Sequence, residues 1–194
     1  MKIDNSINSE DFKKLMFFMI AIMSLLFLSN IGLIYQNLNL RSQLTGKLPK
    51  TLLPNDTAVA FSALSLDGTN TAISYKQKGT KKIFFYFSSS CPYCNEQFPT
   101  WNQLRTAVDN TKYEVFGLTS ERENVEKLKN YLKKEDATSL LTLKLPQNIE
   151  KEYKLSLTPT TVIISENGIV EKIWVGKWDD KTKKEAYSYL NLPS

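Results

Sequence analysis

Histidine is absent from the whole 194-residue chain. That one lack removes Ser-His-Asp and Cys-His nucleophilic catalysis, His-ligated zinc and His-ligated haem together. Cysteine is nearly absent as well, with Cys91 and Cys94 the only two. A metal site needs more ligands than two thiols, so any chemistry must come from that pair, from carboxylates, hydroxyls or lysines, or from the backbone. The chain has no internal repeat and no low-complexity tract. Its charge excess is small, 25 Lys plus Arg against 20 Asp plus Glu for a net +5. The basic surplus is spread over stretches such as Lys127–Lys134 and Lys181–Lys184, each flanked by acids. That pattern describes solvated helix faces, not a nucleic-acid footprint.

What is present begins with an uncharged run, Leu15–Tyr35, LMFFMIAIMSLLFLSNIGLIY. As a helix its 21 residues span about 31 Å, close to the hydrocarbon thickness of a bilayer. A cleaved signal peptide is the competing reading, but the run exceeds the usual apolar length of about 7 to 15 residues and lacks a small-x-small cleavage site. A buried core helix would be apolar on one face only. The run is therefore read as a transmembrane anchor, with a cytoplasmic tail over residues 1–14 before it. Residues 36–55, polar with spaced leucines and two prolines, read as a stalk. Lys13 and Lys14 abut the run whereas Arg41 lies several residues past its other end, which puts the amino terminus in the cytoplasm and the rest outside. A single cysteine pair with no stray thiol also suits an oxidising compartment. The expectation is a single-pass cell-membrane protein with an extracytoplasmic domain over residues 56–194.

With 42% hydrophobic residues, the chain can bury one core of ordinary size and has little length for a second domain. Ala60–Leu66 followed by Asp67-Gly68 predicts a short strand closed by a turn. Lys82–Phe87 and Tyr113–Leu118 show almost no alternation, as expected of strands buried on both faces. Between them, Phe98, Trp101, Leu104, Arg105 and Val108 fall at helical spacing within Pro92–Asp109, where Pro99 should kink the helix. Ser120, followed by Glu123, is a plausible cap for an amphipathic helix over Glu121–Glu135 with Val125, Leu128 and Leu132 inward. A short strand is expected at Leu140–Leu143 and a short helix at Ile149–Tyr153. Thr161–Ser165 and Ile169–Val175, joined by Glu166-Asn167-Gly168, give a hairpin, and Asp179–Leu190 a last helix. Strands interleaved with helices and closed by a hairpin make an α/β mixed sheet flanked by helices.

Cys91-Pro92-Tyr93-Cys94 sits where a strand hands over to a helix. Two thiols at that spacing can close a small disulfide ring, so they can pass between dithiol and disulfide at little conformational cost. A thiolate is the reacting species, and the start of a helix favours negative charge, with Pro92 at a position that needs no N–H donor. Cys91 is thus the expected attacking sulfur and Cys94, one turn further in, the resolving one: a mixed disulfide forms on Cys91 and Cys94 releases it. An inert short-range disulfide, two buried free thiols, or half of a metal site are the other readings of such a pair.

Four stretches carry a family resemblance: Phe61–Gly68; Phe84–Pro99, FFYFSSSCPYCNEQFP; Leu157–Thr161, LTPTT; and the Asn167-Gly168 hairpin ending at Gly176. From about Asp56 onward the domain resembles the thioredoxin fold, and within it the membrane-anchored extracytoplasmic thiol–disulfide oxidoreductases of the TlpA and ResA type. The resemblance implies that Pro159 is cis and lies against Cys91, that the Thr158 backbone pairs with a substrate strand, and that Pro92 and Tyr93 join Thr158 and Pro159 in contacting substrate. It implies no cofactor beyond the redox-active disulfide and no metal. Two departures stand out. Thioredoxins carry a buried acid in the strand before the motif, where this chain has Phe85. ResA-like proteins carry an acid three residues after the second cysteine, where this chain has Gln97. Glu96 beside it could carry the proton instead, although helical geometry reads it as a solvated surface acid. The Pro-Tyr dipeptide is also that of glutaredoxins, but nothing else here resembles their glutathione site.

With only two cysteines the chain cannot recycle itself through an internal relay. Each turnover then needs protein substrates bearing cysteines and a membrane partner that exchanges thiols and disulfides. The resemblance favours reduction. A disulfide-donating oxidase and a non-catalytic thioredoxin-fold binding module are the alternatives; a peroxidase would need a Thr-x-x-Cys context that is absent.

Overall fold

A computed structural model describes residues 9–47, 51–75 and 79–193. The chain divides into two units, residues 1–48 and 49–194. The first holds one helix, α1 (Ser9–Lys47). Within it Phe12–Leu40 is long and apolar enough to cross a membrane. Residues 36–47, expected to open a stalk, continue this helix, since no proline intervenes before Pro49. Residues 1–8 of the expected tail and 48–50 of the expected stalk lie outside the described residues.

The second unit takes in residues ahead of Asp56, where the domain was expected to start. Leu52 is buried, and the Asn55 N–H bonds to the Val170 carbonyl at 2.8 Å. Seven strands follow: β1 (Phe61–Ser65), β2 (Asn70–Ile73), β3 (Lys81–Tyr86), β4 (Tyr113–Ser120), β5 (Thr142–Leu145), β6 (Thr160–Ile164) and β7 (Val170–Val175). They form one sheet in the order β2-β1-β5-β4-β3-β6-β7. The pairs β3–β4 and β4–β5 are parallel and the rest antiparallel. The helices are α2 (Pro92–Ala107), α3 (Val125–Lys134), α4 (Gln147–Glu152) and α5 (Asp180–Tyr189).

The apolar run in β3 feeds two cores. Ile83, Phe85 and Phe87 pack with Phe98, Trp101 and Leu104 of α2, Leu128 of α3 and Ala186 of α5. Phe84 and Tyr86 pack on the other face with Phe61, Leu143 and Tyr153. Burial on both sides is what erased the alternation in this strand. At Gly117 on β4 an added Cβ would meet Thr142 Oγ1 at 2.6 Å, so this close strand contact admits no side chain.

Three elements depart from expectation. β2 pairs with β1 across a turn in which Asp67 accepts from the Ser65 hydroxyl and, at 3.0 Å, from the Thr69 N–H. Its mixed Asn-Thr-Ala-Ile composition gives little strand signal. β5 lies two residues later than the expected Leu140–Leu143, because the Leu140 N–H is spent in a turn on the Ala137 carbonyl. α3 is capped by Asn124, which accepts from the Lys127 N–H. Ser120, the expected cap, remains in β4 and its hydroxyl donates to Glu150 at 3.2 Å.

Candidate active site

The loop after β3, Phe87–Ser90, delivers the chain to α2, and Cys91 is the N-cap of that helix with extended backbone (φ −90°, ψ 113°) and Pro92 beginning the first turn. The proline fits there because the first helical N–H has no partner to lose. Cys91 is partly exposed and Cys94, one turn on, is fully buried; both are free thiols. The Cys91 thiol donates to the Thr158 carbonyl at 3.4 Å, and the Thr158–Pro159 peptide is cis. The Pro159 carbonyl accepts from the Gly176 N–H at 2.7 Å, which holds this segment to the end of β7. Sites more than sixty residues apart in sequence thus meet at Cys91, as the LTPTT resemblance implied.

The two thiols are driven apart electrostatically. For Cys91 burial works against ionisation, but hydrogen bonding from the Thr158 side chain, the Cys94 thiol and the N–H groups of Cys94 and Tyr93 outweighs it and holds the thiol below its ordinary value. The principal favourable contributions are hydrogen bonds, and none comes from a cation. For Cys94 burial dominates, reinforced by Cys91, and pushes the thiol up to about 12. Depth and hydrogen bonding therefore separate the two thiols, the outer one lowered and the inner one raised.

Tyr93 is 62% exposed, and Leu157 and Val175 are the other large exposed apolar side chains adjoining this segment. The residues considered as proton carriers fall elsewhere. Glu96 is exposed and ion-paired with Lys177 at 2.5 Å, so the fold does not bring its carboxylate to either thiol. Gln97 is buried, its side-chain carbonyl accepting from the Trp178 N–H at 2.7 Å. Phe85 stacks on Trp101 with ring centroids 4.7 Å apart, so an aromatic pair fills the space where thioredoxins hold an acid. Trp101 is fastened in turn by its indole N–H to Thr161 Oγ1 at 2.9 Å, which ties the cysteine-bearing helix to β6.

Sequence reasoning missed a second group. Glu123 reaches from the β4–α3 loop to Ser88 and Ser89, immediately ahead of the motif. The only signal for Glu123 in the sequence was its spacing from Ser120, which read as a capping box. No cluster of three or more His, Cys, Asp or Glu side chains able to hold a metal occurs among the described residues.

Residues 52–190 match the family model described as Redoxin. The sporulation thiol-disulfide oxidoreductase A of Bacillus subtilis (strain 168) is 27% identical over 115 residues, covering 58% of this chain and 70% of that protein. The thioredoxin-like protein YneN of the same organism is 25% identical over 133 residues, 68% and 75% of the two chains. Among solved structures, StoA from Bacillus subtilis superimposes with a TM-score of 0.54 at 21% identity, over 68% of this chain and 98% of that one. A thioredoxin-family thiol:disulfide interchange protein from Chlorobium tepidum TLS gives 0.57 at 20% identity, over 73% and 99%. A strand-to-helix Cys-x-x-Cys with one raised and one lowered thiol, beside a cis Thr-Pro, on this sheet, agrees with all of these matches: the chain belongs to the Redoxin family, as a thiol–disulfide oxidoreductase of the thioredoxin fold.

Proposed function

We propose that this protein is tethered to the cell membrane by α1, carries its catalytic domain on the extracytoplasmic side, and reduces disulfides in protein substrates. Cys91 attacks, a mixed disulfide forms with the substrate sulfur, and Cys94 resolves it. Pro92, Tyr93 and Pro159 contact the substrate, and the Thr158 backbone pairs with its chain. The cysteine pair carries the electrons without a further cofactor, and a membrane thiol–disulfide partner returns them.

The observation that carries the direction is the way the Cys91 thiolate is held. Strong oxidants of this fold owe their potential to a stabilised reduced form. Here the principal contributions that hold the Cys91 thiol below its ordinary value are hydrogen bonds, with burial opposing them, and burial pushes the Cys94 thiol up to about 12. Equilibrating the full-length protein in detergent with glutathione or dithiothreitol buffers tests this. A potential near or below about −250 mV is expected of a reductant; one near about −120 to −180 mV would make it a disulfide donor instead. No reversible two-electron couple would leave a non-catalytic binding module. In the same protein Cys94→Ser should trap mixed disulfides with substrate chains. An impermeant thiol reagent should label Cys91 on intact cells, and labelling only after lysis would reverse the orientation.

A further inference from the structure

Crossing a bilayer uses only part of α1. Its 39 residues reach about 58 Å, whereas the hydrocarbon core takes about 30 Å. Two asparagines mark the end that leaves the membrane. Asn30 lies within the uncharged run that ends at Tyr35, about 7 to 8 Å short of its edge, and Asn37 follows just beyond it. One Asn30 amide N–H donates to the Leu26 carbonyl at 2.9 Å, a carbonyl that also accepts from the Ser29 hydroxyl at 2.8 Å. The second N–H and the side-chain oxygen of Asn30 have no hydrogen-bond partner among the described residues. No water stands in for a missing partner in hydrocarbon, and asparagines there hydrogen-bond across helices.

Spacing decides which face of α1 pairs. Steps of four and three residues from Leu26 give Asn30, Leu33, Asn37 and Leu40, the a and d positions of a heptad with asparagine at both a sites. The structure adds a shape to this pattern. Asn30, Leu33, Ile34 and Asn37, at i, i+3, i+4 and i+7, outline a groove on the helix that Leu38 continues. Leu33, Ile34, Leu38 and Leu40 are each at least 60% exposed. Four residues at that spacing frame the hole that receives a d-position knob in a parallel pair, and Leu33 is the d residue at that level. Knob and hole thus lie on one stretch of one chain, as a two-fold contact between like helices requires. Copies inserted in the same direction meet parallel and in register.

We propose that α1 pairs with α1 of a second copy of this chain, Leu33 of each entering the groove of the other between the Asn30 and Asn37 side chains, which rests on the reading of α1 as a membrane anchor. Asn30 of each copy gives its second N–H and its side-chain oxygen to Asn30 of the other inside the membrane, and the Asn37 side chains meet at its edge. An asparagine at an a position is unfavourable against an apolar side chain and fixes register against its own kind. That selects a second copy over an unrelated apolar helix.

The full-length protein carrying Cys91→Ser and Cys94→Ser has no other thiol, so single cysteines placed on α1 report on α1 alone. Oxidation by copper phenanthroline in membranes should cross-link Asn37→Cys and Leu40→Cys into dimers at least about fivefold faster than Tyr35→Cys and Asn39→Cys, which fall on the opposite face. Energy transfer between full-length chains labelled at the amino terminus, in phosphatidylcholine vesicles, reads the affinity. Asn30→Leu should weaken association about threefold to thirtyfold, the range of hydrogen bonds between membrane helices. Leu28→Ala, on the far face, should leave it within about twofold. Equal cross-linking at all four positions, association undiminished in Asn30→Leu, cross-links only to other proteins, or a monomer that stays in the membrane overturns the proposal. Release of the protein from membranes by alkaline carbonate would instead overturn the anchor reading itself.

Discussion

Cys91→Ser leaves Cys94 as the only thiol in the chain, and its reactivity can be worked out in advance. An ordinary thiol of pKa about 8.5 is about 3% thiolate at pH 7. Cys94, pushed up to about 12 chiefly by burial, is more than about a thousandfold less ionised; its more basic thiolate recovers part of that in nucleophilicity, so its alkylation should slow by about fiftyfold or more. Burial remains in the variant, and a serine hydroxyl at 91 replaces the thiol that faced Cys94. The assay is iodoacetamide labelling at pH 7 under native conditions, read by mass spectrometry of the tryptic peptide carrying residue 94, against a free cysteine peptide in the same tube. The converse variant, Cys94→Ser, should label at residue 91 at least as fast as the free peptide, since hydrogen bonding holds that thiol low. Labelling of Cys94 within tenfold of the peptide rate would show that depth does not separate the two thiols, and the assignment of attacking and resolving sulfurs would fall with it.

The pair and its place at the start of a helix were legible because their causes are local. A strand-end, a proline at the first helical turn and a second cysteine one turn inward are all written within four residues. The sheet was legible where one run was buried on both faces, as in β3, or where a turn announced a hairpin, as at Gly168. The environment of the thiols was not, since it is assembled from distant segments. Thr158 joins Cys91 across sixty-seven positions, and only the family resemblance, not periodicity, pointed there. Glu123 was legible as a residue and misread as a partner. Spacing from Ser120 satisfied a capping pattern, but Asn124 caps the helix instead, which frees the Glu123 carboxylate to cross to Ser88 and Ser89. Side chains choose among partners by geometry that the sequence does not list, and the serines ahead of the motif gave no sign of being acceptors' partners.

Two further outcomes concern stability. The folded pKa of Cys94 is raised, so its contribution is complete below the unfolded value of about 8.5 and is lost as pH rises through about 12. Between pH 7 and pH 10 the reduced protein should lose about 2 kcal/mol that the Cys94→Ser variant does not, seen as the difference between their urea midpoints, in which the buried tyrosines common to both cancel. Parallel curves would deny the raised thiol. Thr161→Val tests how the cysteine-bearing helix is fastened. The swap keeps shape but removes the acceptor for the Trp101 indole N–H, 2.9 Å away, and both residues are 1% exposed, so no water can substitute. An orphaned buried donor costs about 1 to 3 kcal/mol, enough to move the urea midpoint by about 0.5 M or more. Because Trp101 stacks on Phe85 in the same helix that presents the thiols, the loss should also appear as faster alkylation of Cys94 in the Cys91→Ser background, through more frequent opening of α2. A midpoint shift without that change in Cys94 labelling would mean that α2 is held at its cysteine end by something other than this hydrogen bond.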